Sequence, residues 1–387
     1  MGLHVVVVTR IFAPEPAAAS LRLASLVETL AERGHRVTVL TTTAPEQDRY
    51  RPPTGVRVKR WPVLRDADGY VRGYVQYLSF DLPLALRLLL TRRPDVVVVE
   101  PPPTTGVVAA VWSRLRRVPM VYYAADIWSD AVRTAGMPGI VERVLRVVER
   151  RVLRSGDAVL ATSAGVARRL TDLGVGARAS VVGNGIDVTT FSPTGVAEPA
   201  EPPYLVYTGT ASEVHGADVF TRAMPQVIEQ RPDARLVFIG QGSDIPRMRD
   251  ETGDFPLGAV TFLPRVPPEQ VARWLRGARA SLASVLPGPY AFAFPSKVYA
   301  AAACGTPVIF AGVGPARELV ADGELGWVVD HDVDAVARAM LAALDDADGA
   351  SKGESKERHR RARWAAEHVS ARQVAERAVA AIEAVAR

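Results

Sequence analysis

Apolar residues along this chain fall into two alternating kinds of run. Short, mostly unbroken runs recur at Val5–Val8, Val37–Leu40, Val56–Val58, Val96–Val99, Met120–Tyr123 and Ala158–Ala161. Unbroken runs, rather than apolar–polar alternation, are what strands covered on both faces require. Between them lie stretches with the three-to-four-residue spacing of amphipathic helices, such as Leu21–Arg33, closed by Gly34. The series starts again at Tyr204–Thr208 and continues through Arg235–Ile239, Val260–Phe262, Ala280–Ala283, Pro307–Phe310 and Gly326–Val329. Strand–helix alternation predicts parallel sheets with right-handed crossovers. The Pro-rich stretch 192–203 reads as a linker. The expected class is therefore α/β, with two Rossmann-like domains at 1–195 and 196–365 and a final segment, 366–387, holding an Ala-rich helix at about Val369–Ala386. No repeat with a period of tens of residues is present, so the halves share a fold and not a sequence.

Composition agrees with two cores. At 387 residues the chain is too long for one ordinary core, and 48% hydrophobic residues suffice for two. The net charge of +5 comes with cations that are nearly all Arg. Two readings stand side by side: a compositional bias spread over solvated faces, or attraction to phosphorylated ligands or an anionic membrane surface. No aromatic–basic interleaving or recognised module points to nucleic acid. The single cysteine, Cys304, sits in an apolar stretch and reads as a packed small residue. Leu82–Leu90, interrupted by Pro83 and Arg87, is too short to span a bilayer, and Met1 leads straight into the first strand. A cytoplasmic location is expected, with contact to the inner membrane face peripheral at most. Clustered His/Cys ligands are missing, and neither a metal nor a cofactor is expected.

The most informative stretch is 292–310. Pro295-Ser296-Lys297 opens a small-residue helix, Gly305 closes it and a buried strand follows. A helix start presents unpaired N–H groups and a positive dipole end, which suit a diphosphate, and Lys297 adds a point charge there. Pro295-Ser296 is a favourable N-cap context. Upstream, Tyr207-Thr208-Gly209-Thr210 ends a strand and leads to His215-Gly216, and Ile239-Gly240-Gln241-Gly242 ends the next. Such glycines allow sharp turns at the carboxyl edge of a sheet, where α/β proteins bind ligands, although a plain tight turn explains them equally well.

With Gly34-His35-Arg36-Val37, Asn184-Gly185-Ile186-Asp187 and Phe191 in order, these motifs resemble the family 4 glycosyltransferases over nearly the whole chain. The resemblance is nearest to the lipid-linked fucosamine-transferase-like subgroup, through Pro295-Ser296-Lys297 and Asp126-Ile127-Trp128. It implies the GT-B fold, with an acceptor-binding domain at 1–195 and a nucleotide-sugar-binding domain at 196–365 facing across a cleft, and the helix of 366–387 crossing back to the first domain. It also implies metal-independent transfer of a sugar from a nucleotide-sugar with retention of configuration. Under it, Lys297 and His215 stabilise the leaving diphosphate, and Asp126 binds an acceptor hydroxyl or orders the cleft. His215 stands where relatives have Lys. Gly209, Thr210, Gly216, Gly240, Gly242, Arg265, Val266, Phe294, Pro295, Ser296, Val298 and Tyr299 form the donor site. Glu15, Ala18, Ala19, Ser20, Trp128 and Asp130 face the acceptor, with Ser20 as a helix N-cap; Gly34 and His35 are structural.

The chain also departs from the family. Phe292 and Ala300 occupy the two positions of a Glu pair whose second member bonds the ribose, Ala125 replaces an Arg and Ala18-Ala19 replace glycines. These departures favour an unusual, small-molecule or glycan acceptor, with specialised metabolism preferred. They also keep two alternatives open: a catalytically silent binding partner, and a nucleotide-sugar epimerase.

Overall fold

The computed structural model describes every residue except 1, 16, 45–49, 67–68, 70, 72, 131–138, 213–214, 289–290, 292–293, 346–351 and 387, with 352–355 described for the backbone alone. The chain divides into two compact units, Met1–Gly185 with Ala371–Arg387, and Ile186–Ser370.

The first unit holds a seven-stranded sheet of β1 (His4–Val8), β2 (Arg36–Thr42), β3 (Val56–Trp61), β4 (Val96–Val99), β5 (Met120–Ala124), β6 (Ala158–Ala161) and β7 (Ala179–Val181). The order is β3-β2-β1-β4-β5-β6-β7, and every pair is parallel. The short edge strand β7 has no counterpart in the sequence reading, because Ala-Ser-Val is too brief and too exposed to leave a pattern. Alternation along β1 divides the core. Val5 and Val7 join Leu23, Leu26, Leu30 and Ile382 on one face, while Val6 and Val8 join Phe80, Leu84 and Trp112 on the other.

The helix Ala18–Glu32 begins earlier than its apolar spacing suggested. Ala17 is its N-cap, and Ser20 lies inside the first turn, buried, so the N-cap role expected of Ser20 falls to the backbone of Ala17. Gly34, at φ +80°, ends the helix as expected; its N–H and that of His35 bond back to Ala31 O and Leu30 O. His35 is buried, accepts at Nδ1 from the Leu3 N–H and lies 2.9 Å from Glu383.

The second unit holds β8 (Tyr204–Thr210), β9 (Arg235–Gln241), β10 (Val260–Leu263), β11 (Ala280–Val285), β12 (Val308–Gly312) and β13 (Gly326–Val329). Its order, β10-β9-β8-β11-β12-β13, repeats that of the first six strands of the other sheet and is again all parallel. In each sheet the order reverses direction beside the first strand, between β1 and β4 and between β8 and β11. Open α/β sheets bind ligands outside the carboxyl ends of strands at that point.

The units part at Gly185/Ile186 and Ser370/Ala371, whereas composition set the boundaries at 195/196 and 365/366. Ile186 bridges Ser370 and donates to Val369 O, so the chain enters and leaves the second unit at one place. The Pro-rich stretch is fastened to that unit: Glu198 N–H bonds Arg273 O, and Arg276 bonds Val196 O at 2.8 Å.

Candidate functional site

In the second unit, the carboxyl ends of β8 and β11 meet the short helix Lys297–Ala303. The helix is short and dense because its side chains from Val298 to Ala303 are buried and, apart from Tyr299, small. Its first residue carries the site. Lys297 Nζ is out of contact with solvent and has no hydrogen-bond partner among the described residues. It lies 3.2 Å from the centroid of the buried Tyr207 ring, a cation–π contact. Burial pushes the lysine pKa well below its usual value. Gly209, at φ +95°, presents bare backbone beside the lysine stem; a Cβ there would lie 3.9 Å from Lys297 Cε. Tyr207 OH donates to Thr210 O at 2.9 Å, at the end of β8.

His215 joins this group. Its Nδ1 is 2.9 Å from Ser212 Oγ, and burial, reinforced by the Lys297 charge, lowers its pKa to about 4. The next residue, Gly216, has φ +57° and accepts from His331 Nε2 at 2.8 Å. Glu213 and Val214, between Ser212 and His215, lie outside the described residues, as does Phe292.

Other donor-site expectations meet different geometry. Gly240 and Gly242 have a structural reason: a Cβ at either would collide with a backbone carbonyl at the end of the adjacent β8 or just after it, Gly209 O or Ala211 O. Ser296 occupies the N-cap position of this helix, with helical backbone and no side-chain cap bond. The Val298 and Tyr299 N–H groups donate to Pro295 O and Ser296 O. Both of these N–H groups at the helix start are therefore already engaged. Val298 and Tyr299 side chains belong to the core, and Phe294 packs on Tyr299 at 4.7 Å. Val266 is partly buried against the same core and Arg265 is exposed. Ala300 is buried one turn along from Lys297.

The sequence contains Asp-x-Asp spacings that the reading above passed over, Asp66-Ala67-Asp68, Asp346-Ala347-Asp348 and Asp330-His331-Asp332-Val333-Asp334, of which the last lies wholly within the described residues. Arg317 holds Asp330 at 3.1 Å, and Asp332 caps the following helix through Ala335 N–H. No group of three His, Cys, Asp or Glu able to hold a metal occurs among the described residues.

In the first unit, the residues after β1, β4 and β5 build a second polar cluster. Buried Arg22, from the helix Ala18–Glu32, pairs with buried Glu100 after β4 and donates to Asn184 Oδ1 at 3.0 Å. Its guanidinium lies 5.0 Å from the Tyr123 ring centroid, and burial pushes the Tyr123 pKa up to about 12. Burial disfavours the Arg22 charge but Glu100 outweighs it, and the arginine pKa is raised. Asp126 is open to solvent, although protein crowds round it; desolvation raises its pKa and Arg22 pulls it down. Solvent access limits the size of that rise.

Arg10 is buried after β1, with its guanidinium 4.2 Å from the Tyr77 ring centroid and a bond to Val71 O at 2.9 Å. Buried Asp81 accepts from Thr105 Oγ1 at 2.6 Å. Trp128 stands edge-on to Tyr77, and its N–H and that of Ser129 donate to buried Glu149. Two acceptor-site expectations are occupied otherwise: Arg169 grips Asp130 at 2.7 and 2.9 Å, and Arg65 grips Glu15 at 3.1 and 3.3 Å. Ala18 is exposed and Ala19 half-buried at the start of their helix.

Sequence reading assigned no role to Arg10, Tyr77, Asp81, Glu149, Tyr207 or Ser212. Asp81 left a signal, as the lone acid in a mostly apolar helix; Tyr207 left none, since an aromatic in a strand is ordinary.

Two doubly wound parallel sheets, each with polar chemistry at its switch point, are the architecture of the GT-B fold. The Glycosyl transferase 4-like domain model matches residues 18–185, and the Glycosyl transferases group 1 model matches residues 202–346. The chain belongs to this family and is a glycosyltransferase. A D-inositol 3-phosphate glycosyltransferase from Acidothermus cellulolyticus is 28% identical, aligned over 84% of this chain and 77% of its own. A phosphatidyl-myo-inositol mannosyltransferase from Mycolicibacterium smegmatis is 29% identical over 47% of this chain, and the chain spans about half of its length (47%). Among solved structures, Anabaena HepE in complex with UDP and glucose superposes with a TM-score of 0.70 at 16% identity, over 99% of this chain and 100% of that one. Sucrose-phosphate synthase from Thermosynechococcus elongatus gives 0.76 at 20% identity, over 98% of each. At these identities the structural likeness concerns the fold.

Proposed function

We propose that this glycosyltransferase moves a sugar from a nucleoside-diphosphate donor to a hydroxyl of a small-molecule or glycan acceptor, with retention and without an obligatory metal. Lys297 carries the reading. A buried lysine amine over an aromatic ring, with no hydrogen-bond partner among the described residues, has its charged form disfavoured in the free protein and favoured when an anion arrives. The donor diphosphate is such an anion. The bare backbone at Gly209 lets it approach, and His215, neutral until the anion raises its pKa, adds a second donor. Electrostatic stabilisation of the leaving diphosphate is the catalytic contribution asked of these groups.

Asp126, Trp128 and the Arg22–Glu100 pair are the acceptor-side groups we favour, because Glu15 and Asp130 are already gripped by arginines. The fucosamine-transferase-like subgroup remains our preferred placement, on Pro295-Ser296-Lys297 and Asp126-Ile127-Trp128. Relatives named for inositol phosphates make those compounds the first acceptors to try.

Lys297→Met tests the assignment. It keeps the volume and removes the buried charge. Transfer from UDP-, GDP- or dTDP-sugars should fall by about 10²–10³-fold. The thermal midpoint should hold or rise, because a buried amine without a hydrogen-bond partner among the described residues is removed. Unchanged turnover would sink the assignment.

A further inference from the structure

We propose that the outer crests of three helices in the first unit form a docking face for an anionic lipid bilayer. The helices are Tyr74–Leu89, Pro103–Arg116 and Gly139–Ser155; the first packs on the second and the second on the third. Their inner sides, through Leu84, Trp112 and Val152, cover one face of the sheet. Their outer sides are apolar where solvent-facing helices are ordinarily polar.

Leu78, Leu82 and Leu86 form one row at four-residue spacing, and Val107, Val111 and Leu115 form a second. Ile140, Val144 and Val147 form a third. Leu82 is 70% exposed, Leu115 76% and Ile140 70%. Single exposed apolar residues need no explanation, but three neighbouring rows mark an interaction surface.

Charge selects the occupant. Arg114, Arg116, Arg143, Arg146, Arg150 and Arg151 are exposed on the second and third helices. The acids of all three are Asp81 and Glu149, both buried, and Glu142, which pairs with Arg146. The face is thus apolar and cationic at once. A two-fold contact with a second copy would set these arginines against each other. An acidic protein fits less well, because Tyr74 is the one exposed aromatic on the described residues of these helices and protein hot spots favour aromatic anchors. Aliphatic rows interleaved with arginine match the headgroup–acyl boundary of an anionic membrane. None of the described helices is long and apolar enough to cross a membrane, which leaves contact with its surface.

Co-sedimentation of the full chain with vesicles tests this. Phosphatidylcholine vesicles are compared with phosphatidylcholine–phosphatidylglycerol vesicles, at low and high salt, for the wild type and Leu82→Asp/Leu115→Asp. Binding to the anionic vesicles should be at least about tenfold tighter than to neutral ones, weaken with salt, and fall about tenfold in the variant. No binding by the wild type, or equal binding by a folded variant, overturns the proposal. So does a wild-type dimer that the variant disperses, or capture of polyglutamate in preference to vesicles that the variant abolishes; these reassign the face to a second copy and to an acidic protein. If the variant melts early, the lipid and salt dependence of the wild type decides.

Discussion

Lys297 and His215 are both held in a state that disfavours their charged forms, and both depressions arise mainly from burial. An anion bound beside them favours those forms and raises both pKa values, so ligation takes up protons. The sign is definite: nucleotide affinity rises as pH falls through the window between the depressed free pKa of Lys297 and its higher ligated value. Calorimetric titration of UDP between pH 7 and 9.5, above the phosphate's own ionisation, should show affinity growing toward the lower end by up to about tenfold per pH unit, with proton uptake that depends on the buffer. A flat profile would remove the lysine from the anion's neighbourhood. The same residue scale separates what was legible from what was not. Lys297 stood out because a cation opens a helix of otherwise buried residues. Glu15 and Asp130 looked equally available in the chain, and only folding brought Arg65 and Arg169 onto them.

Elements were legible wherever an apolar run was long enough to have a period. All six runs read as strands in each half are strands, and the Gly34 stop is where the pattern placed it. The short edge strand β7 escaped. The start of the helix Ala18–Glu32 escaped too, because Ala17 makes no side-chain cap bond. The helix Ala371–Val385 shows how an element far away in sequence completes a core. Ala378, Val379 and Ile382 are buried with β1 and with the helix Ala18–Glu32. Ile382→Ala should therefore destabilise the first unit by about 2–4 kcal/mol. Urea unfolding monitored on that unit should record the loss, and an effect under about 0.5 kcal/mol would mean the helix is peripheral to the core.

At the scale of the whole molecule, two units of the same strand order carry different chemistry at equivalent places. The first has the buried Arg22–Glu100 pair with Asp126, and the second has a lysine without a hydrogen-bond partner among the described residues, beside a histidine. If the second unit alone holds the nucleotide, UDP at about 100 times its Kd should stabilise that unit by about 2.7 kcal/mol. Hydrogen exchange should then slow at the ends of β8 and β11 and leave β1, β4 and β5 unchanged. Protection of the first unit instead would transfer the donor site. The family motifs were readable because glycine turns and cap residues act locally: Gly34 and Gly209 have the positive φ that only glycine adopts freely.

Local pattern determined the class of this protein: apolar runs long enough to be strands, glycines where the chain must turn, and a lysine at a helix start. Tertiary structure decided which charges remain available. Whether a carboxylate meets a substrate or an arginine depends on residues dozens of positions away, such as Asp130 and Arg169 or Glu15 and Arg65. The location of the apolar helix crests was likewise decided there. A helical stripe shows that one side is buried and is silent on whether the other side faces water, because spacing along a chain carries no information about distance between elements.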